Sequence, residues 1–216
     1  MLDCNVGWNN LLVGVLLAAA GAALTRAQPI EGFHIVEGVA SVGHGLQLTP
    51  HLRLRSADHF QELAQVRAGL ILTKTLVPHL DALAAGYWEP TVRKPRFPAS
   101  YRLQLGAQAR ISLGEKWTLQ PRALWERLNR TTGFAYRRVR LGGRLTFTGT
   151  KVSPYLYTDT FLTGTGATLF HSSRNGAGLG WGLGRRARME LEYFYDVRRG
   201  FWGGDRQVLT TRIQFR

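Results

Sequence analysis

Tyr101-Arg102-Leu103-Gln104-Leu105-Gly106-Ala107-Gln108-Ala109-Arg110-Ile111-Ser112-Leu113 decides the fold class. In an extended chain successive side chains point to opposite faces, so Tyr101, Leu103, Leu105, Ala107, Ala109, Ile111 and Leu113 share one face. Arg102, Gln104, Gly106, Gln108, Arg110 and Ser112 share the other. A helix would scatter the arginines among the apolar residues. The stretch reads as a long strand with one apolar and one polar side.

The same period returns along the chain. Val139, Leu141, Leu145 and Phe147 oppose Arg140, Gly142, Arg144 and Thr146. Ala187, Met189, Leu191, Tyr193, Tyr195 and Val197 oppose Arg188, Glu190, Glu192, Phe194, Asp196 and Arg198. At the end, Leu209, Thr211, Ile213 and Phe215 oppose Val208, Thr210, Arg212 and Gln214. Weaker versions occupy Glu62 to Thr73, Val77 to Glu89, Trp117 to Leu128, Ser153 to Leu162 and Arg174 to Leu183. Tight turns are expected at Lys74-Thr75-Leu76, Gly114-Glu115, Gly149-Thr150-Lys151 and Gly184-Arg185-Arg186, and longer loops at Pro90 to Pro98, Gly164 to His171 and Arg199 to Asp205. Short turns at one end and longer loops at the other are the pattern of an outer-membrane barrel. The reading is an all-β, antiparallel, up-and-down transmembrane β-barrel of about ten strands (roughly 8–12), with Ile35 to Leu48 adding one or two beyond those counted from His51 onward.

A soluble antiparallel sheet alternates too. Three features favour a membrane. The strands are long for soluble ones, and roughly 9–11 tilted residues cross a bilayer. Aromatic residues sit near segment ends: Tyr87, Trp88, Tyr101, Trp117, Trp125, Phe134, Tyr136, Tyr195, Phe201 and Trp202. Finally, Leu11 to Leu24 is an apolar run followed by Thr25-Arg26-Ala27. As a helix this run rises about 21 Å, short of the roughly 30 Å hydrocarbon core, so it reads as a signal peptide cleaved after Ala27. Met1 to Asn10 carries Asp3 and no Lys or Arg, which departs from the usual positive start. The expected organisation is residues 1–27 as leader and 28–216 as the barrel, monomeric, in the bacterial outer membrane. Cys4 lies in the leader, so the mature chain would hold no thiol, disulfide or cysteine metal site.

Lys and Arg number 28 against 14 Asp and Glu, a formal charge of +14. Arginine facing the bilayer midplane costs about 2–4 kcal/mol, so the polar face must line the lumen. There Arg102, Arg110, Arg140, Arg144, Arg188 and Arg212 would meet Asp81, Glu126, Asp159, Glu190, Glu192 and Asp196 in an ion-pair network. Gly176, Gly178, Gly180 and Gly182 fall on the lumen side of one strand and would leave room for Tyr155, Tyr157 or Phe194. A narrow barrel filled in this way should conduct little. Phe215, on the lipid face, is expected to act as the terminal aromatic for barrel assembly, although Arg216 follows it.

Several stretches carry a family resemblance: Val66-Arg67-Ala68-Gly69-Leu70, Ala85-Gly86-Tyr87, Trp125-Glu126-Arg127, Tyr136-Arg137-Arg138-Val139-Arg140, Pro154-Tyr155-Leu156-Tyr157, and Met189 to Tyr195. In this order and spacing the chain resembles the bacterial family named domain of unknown function 2490, over about three quarters of the mature chain, most clearly after Gln61. The resemblance implies an exported outer-membrane barrel and brings no catalytic residues.

No P-loop, dinucleotide fingerprint, HExxH or CxxC occurs, and neither a cofactor nor a metal is expected. Glu190 and Glu192 share a strand face and could do acid–base work, but arginine partners favour a structural role. His171-Ser172-Ser173 raises the alternative of a lipid-modifying outer-membrane enzyme, without an acid at recognisable spacing. A soluble basic barrel binding nucleic acid is a weaker alternative, since the aromatics do not cluster with arginine on one strand face. The basic loop Arg93-Lys94-Pro95-Arg96 and the pair Arg198-Arg199 would face lipopolysaccharide phosphates. The expected partners are outer-membrane lipid, lipopolysaccharide and the barrel-assembly machinery.

Overall fold

The computed structural model describes residues 30–57, 59–92, 99–131, 133, 135–163, 170–198 and 204–216. The expected leader, its expected cleavage point and the basic stretch Arg93–Arg96 lie outside them. Thirteen strands follow one another: β1 (Ile30–Gly38), β2 (Ala40–Gly43), β3 (Leu46–Ala57), β4 (Glu62–Val77), β5 (Leu80–Glu89), β6 (Ser100–Ala109), β7 (Ile111–Leu113), β8 (Trp117–Arg130), β9 (Ala135–Phe147), β10 (Val152–Thr163), β11 (Phe170–Leu183), β12 (Ala187–Arg198) and β13 (Arg206–Phe215). β2 prolongs β1 beside β3, and β7 prolongs β6 beside β8, so eleven staves form the closed wall.

From β1 to β13 each stave pairs antiparallel with the next. The last seam differs. β1 lies parallel to β13, from Ile30 beside Gln207 to Gly38 beside Phe215. A meander reverses direction at every turn, so the first and last of an odd number of staves run the same way and can close only in parallel. The antiparallel up-and-down barrel expected from the sequence is found, with this closing seam parallel. The segment before His51 does join the barrel, as β1, β2 and the start of β3.

Connections of two to four residues lie at one rim, at 44–45, 78–79, 114–116, 148–151 and 184–186. Those at the other rim hold four to ten. β1 starts at the long-loop rim and β13 ends at the short-turn rim. One expected turn is misplaced. Lys74-Thr75-Leu76 continues β4, and the chain reverses at Pro78-His79, where Pro78 lacks a ladder N–H and His79 takes a positive φ of 73°.

Polarity is inverted relative to an ordinary globular domain. Leu103, Leu105, Leu141, Leu156 and Leu191 point out and are exposed. Glu89, Glu126, Asp159 and Asp196 point in and are at most 2% exposed. The interior apolar cluster is small: Phe33 from β1, Phe194 from β12 and Val208 from β13, with Tyr157 against them. Phe33 and Phe194 meet at 5.8 Å between ring centres, which ties β1 to the far side of its parallel seam.

Candidate functional site

The lumen is built from arginine forks on carboxylates. In the short-turn half, Arg144 donates through both terminal nitrogens to Glu190, at 2.8 and 3.2 Å. Arg188 and Arg212 approach the same carboxylate at 3.3 and 3.4 Å. Tyr155 donates its hydroxyl to Glu192 at 3.1 Å, with the Arg144 guanidinium 3.4 Å from the Tyr155 ring centre. Glu37 hydrogen-bonds His51 Nδ1 at 2.9 Å and accepts from Gln214 at 3.3 Å. At mid-height Asp159 accepts two bonds from Arg122, at 3.1 and 2.7 Å, and one from Arg140 at 2.6 Å.

The long-loop half is denser. Glu126 accepts from Arg102 at 3.1 Å, Arg138 at 2.5 Å and Gln104 at 2.6 Å. Glu89 takes Arg67 and Arg102, and Ser100 donates to it at 3.3 Å. Asp196 holds Arg206 at 2.8 Å, Arg198 at 3.2 Å and Arg174 at 3.4 Å, and Glu31 joins Arg55 to Arg206. A buried carboxylate stays charged only where cations and donors replace water, and the planar guanidinium does this with two parallel bonds. Guanidinium groups of Arg138, Arg140 and Arg174 also gather around the Phe161 ring at 4.2, 5.4 and 4.7 Å.

One wall is bare. A Cβ on Gly178 would sit 2.4 Å from the Tyr155 ring, on Gly176 2.5 Å from the Tyr157 ring, and on Gly180 2.5 Å from Arg188. The glycines of β11 therefore form the shelf across which its neighbours' side chains lie. Gly182 is different, since its Cβ would meet only the Gly184 carbonyl, at 3.7 Å.

Of the residues expected in the network, Arg102, Arg140, Arg144, Asp159, Arg188, Glu190, Glu192 and Arg212 are brought together in the lumen. Arg110 is not. It lies between β6 and β7, exposed at the short-turn rim, with its backbone N–H on the His79 carbonyl. Asp81 likewise stays at that rim and accepts from the Thr75 hydroxyl. Phe215 is half exposed on the outer face. Tyr87 and Tyr136, read as girdle aromatics, face the lumen, Tyr87 under Arg67 at 5.0 Å and Tyr136 under Arg138 at 5.8 Å. Arg198, read as a loop cation, is turned inward onto Asp196. Ser172 faces the lumen and Ser173, one residue on, faces outward; the side chain of His171 lies outside the described residues. Among the described residues no group of His, Cys, Asp and Glu could hold a metal ion.

Sequence reasoning missed Arg53, Arg55, Arg67 and Glu89. The signal was present: Leu46, Leu48, Leu52 and Leu54 alternate with Gln47, Thr49, His51, Arg53 and Arg55 along β3, interrupted only by Pro50 on the outer side. These residues shape two adjoining chambers of ≈ 410 Å³ and ≈ 300 Å³, in the long-loop half and below it. Phe33, Arg53, Arg67, Gln104, Arg140 and Arg174 line both and mark the level between them. The larger chamber is walled by ten arginines and three carboxylates.

Comparison with curated proteins gave no match. A family model described as "Protein of unknown function (DUF2490)" matches residues 33–206, from within β1 to the first residue of β13. With every stave between the first and the last contained whole in that span, and most of the first, the chain belongs to the DUF2490 family.

Proposed function

We propose that this protein is a bacterial outer-membrane barrel, exported by its cleavable leader, with a largely filled lumen. Its role is non-enzymatic: a structural component of the envelope or a narrow conduit. The observation that supports this reading is the inverted polarity of the wall, with leucines outward and ionised side chains inward. In water that arrangement exposes apolar surface and buries charge; in hydrocarbon both terms reverse sign. The outer leucines then meet lipid, and lipopolysaccharide surrounds the rim with the longer loops. The assembly machinery would read β13, whose outer face ends at Phe215.

Fractionation with heat-modifiable gel migration tests the location. The expected result is a folded band in the outer membrane whose N-terminus is Gln28; recovery from the soluble fraction overturns the reading. Planar-bilayer recording tests the filled lumen. Small or absent steady conductance is expected, and large porin-like steps would contradict it.

A further inference from the structure

We propose that the larger chamber is a binding site for small phosphate-bearing anions, with Arg53 at its base as the ligating residue that forms no ion pair of its own among the described residues. The inference rests on the lumen alone and holds in detergent, whatever the location of the barrel.

Charge is the first observation. Ten arginines face three carboxylates across ≈ 410 Å³, a volume within the usual range of small-molecule sites. Glu31 and Asp159 add two carboxylates at its sides, and arginines still outnumber acids among the described residues. An arginine lumen built only to fill space would be balanced.

The second observation is Arg53. Its side chain is 8% exposed, yet among the described residues it makes no ion pair; Glu89, whose charge reaches it, is held by Arg67 and Arg102. One terminal nitrogen donates to the neutral Gln65 amide oxygen at 3.1 Å, and the guanidinium lies 4.5 Å from the centre of the Phe33 ring. Its Nε has no hydrogen-bond acceptor among the described residues, and neither has the Nε of Arg67, which lines the same level. A buried cation whose counter-charge is already shared by other arginines is destabilising unless something anionic completes it. Guanidinium groups are planar forks that take two oxygens of a phosphate at once, and several of them converge here. A multiply charged phosphate matches both the residual charge and the geometry. Two sources offer that chemistry, a soluble phosphate ester or a phosphorylated lipid headgroup. The lumen, separated from lipid by the wall, favours the soluble one.

The test is titration calorimetry of the refolded full chain in zwitterionic detergent, with sodium pyrophosphate as probe and ionic strength held constant with chloride. Wild type should bind. Arg53→Met should weaken binding at least tenfold and leave the ligand-free barrel as heat-resistant as wild type or more so, because the substitution removes an uncompensated buried charge. Arg110→Met, which removes a cation from the opposite rim, should leave binding within twofold. A second arm replaces pyrophosphate with diphosphorylated lipid A in the micelle. Binding there and not with pyrophosphate upholds the phosphate chemistry and overturns the soluble source. Absence of binding in both arms, equal binding by Arg53→Met, or failure of Arg53→Met to fold overturns the proposal.

Discussion

The two halves of the lumen follow one alternation and arrive at different chemistry. In the short-turn half Arg144, Arg188 and Arg212 stand among Glu37, Glu190 and Glu192, cation for anion, over a floor of glycines and tyrosines. In the long-loop half ten arginines crowd onto Glu31, Glu89, Glu126 and Asp196, and one of them, Arg53, forms no ion pair among the described residues. The first arrangement is a plug stabilised by its own pairing. The second is a cationic chamber. What separates them is how many arginines share each carboxylate: the acids are similar in number in the two halves, and the arginines are not.

The largest effect that would sharpen this contrast is at Glu126. Glu126→Gln removes the common anion of Arg102 and Arg138 and should destabilise the barrel by about 3–5 kcal/mol. Glu192→Gln, which keeps an acceptor oxygen for the Tyr155 and Tyr157 hydroxyls, should cost nearer about 1 kcal/mol. Urea titrations of the folded band report both, and equal losses would erase the distinction between the halves.

Next in size is the contrast of outside with inside. Leu141→Arg places a cation on the outer face at the middle of β9 and should cost about 2–4 kcal/mol. Ile213→Arg, near the end of β13, should cost less, and Gln214→Arg, on the lumen face, least of all. Folded yield in lipid vesicles ranks the three. If Gln214→Arg is the worst, the inward and outward faces of β13 are exchanged.

The smallest expected effect lies within the glycine shelf. Gly178→Ala should cost about 1–3 kcal/mol because its Cβ meets both the Tyr155 ring and the Leu191 carbonyl. Gly182→Ala should stay within about 0.5 kcal/mol. Thermal melting of the two variants decides whether the shelf is under steric pressure along its length or only where tyrosines cross it.

Face was legible in the sequence; height was not. Where both sides of a strand are chemically clean, as from Leu103 to Leu105 or Glu190 to Glu192, period two assigned inward and outward residues and the barrel followed. β1 hid because apolar Phe33 and Ile35 stand between Glu31 and Glu37 on its inward face, Phe33 serving the small cluster with Phe194, so neither side of the strand reads as cleanly polar. Arg110 shares the period of Arg102 but lies at the rim, a difference of height that alternation does not encode. Tyr87 misled for a related reason, since nearness to a strand end does not say which face an aromatic takes. The trio of Glu89, Arg67 and Arg102 draws on β5, β4 and β6, and needs the register among all three strands before it can be read.

The parallel seam has a consequence for sidedness. An even count of staves returns a chain to the compartment it left, whereas eleven crossings do not. With the barrel seated in a bilayer, a peptide fused ahead of Ile30 and another fused behind Arg216 would emerge into different compartments. The wall would then carry the two ends of a single polypeptide out of opposite faces of the membrane, much as a bulkhead fitting passes a cable.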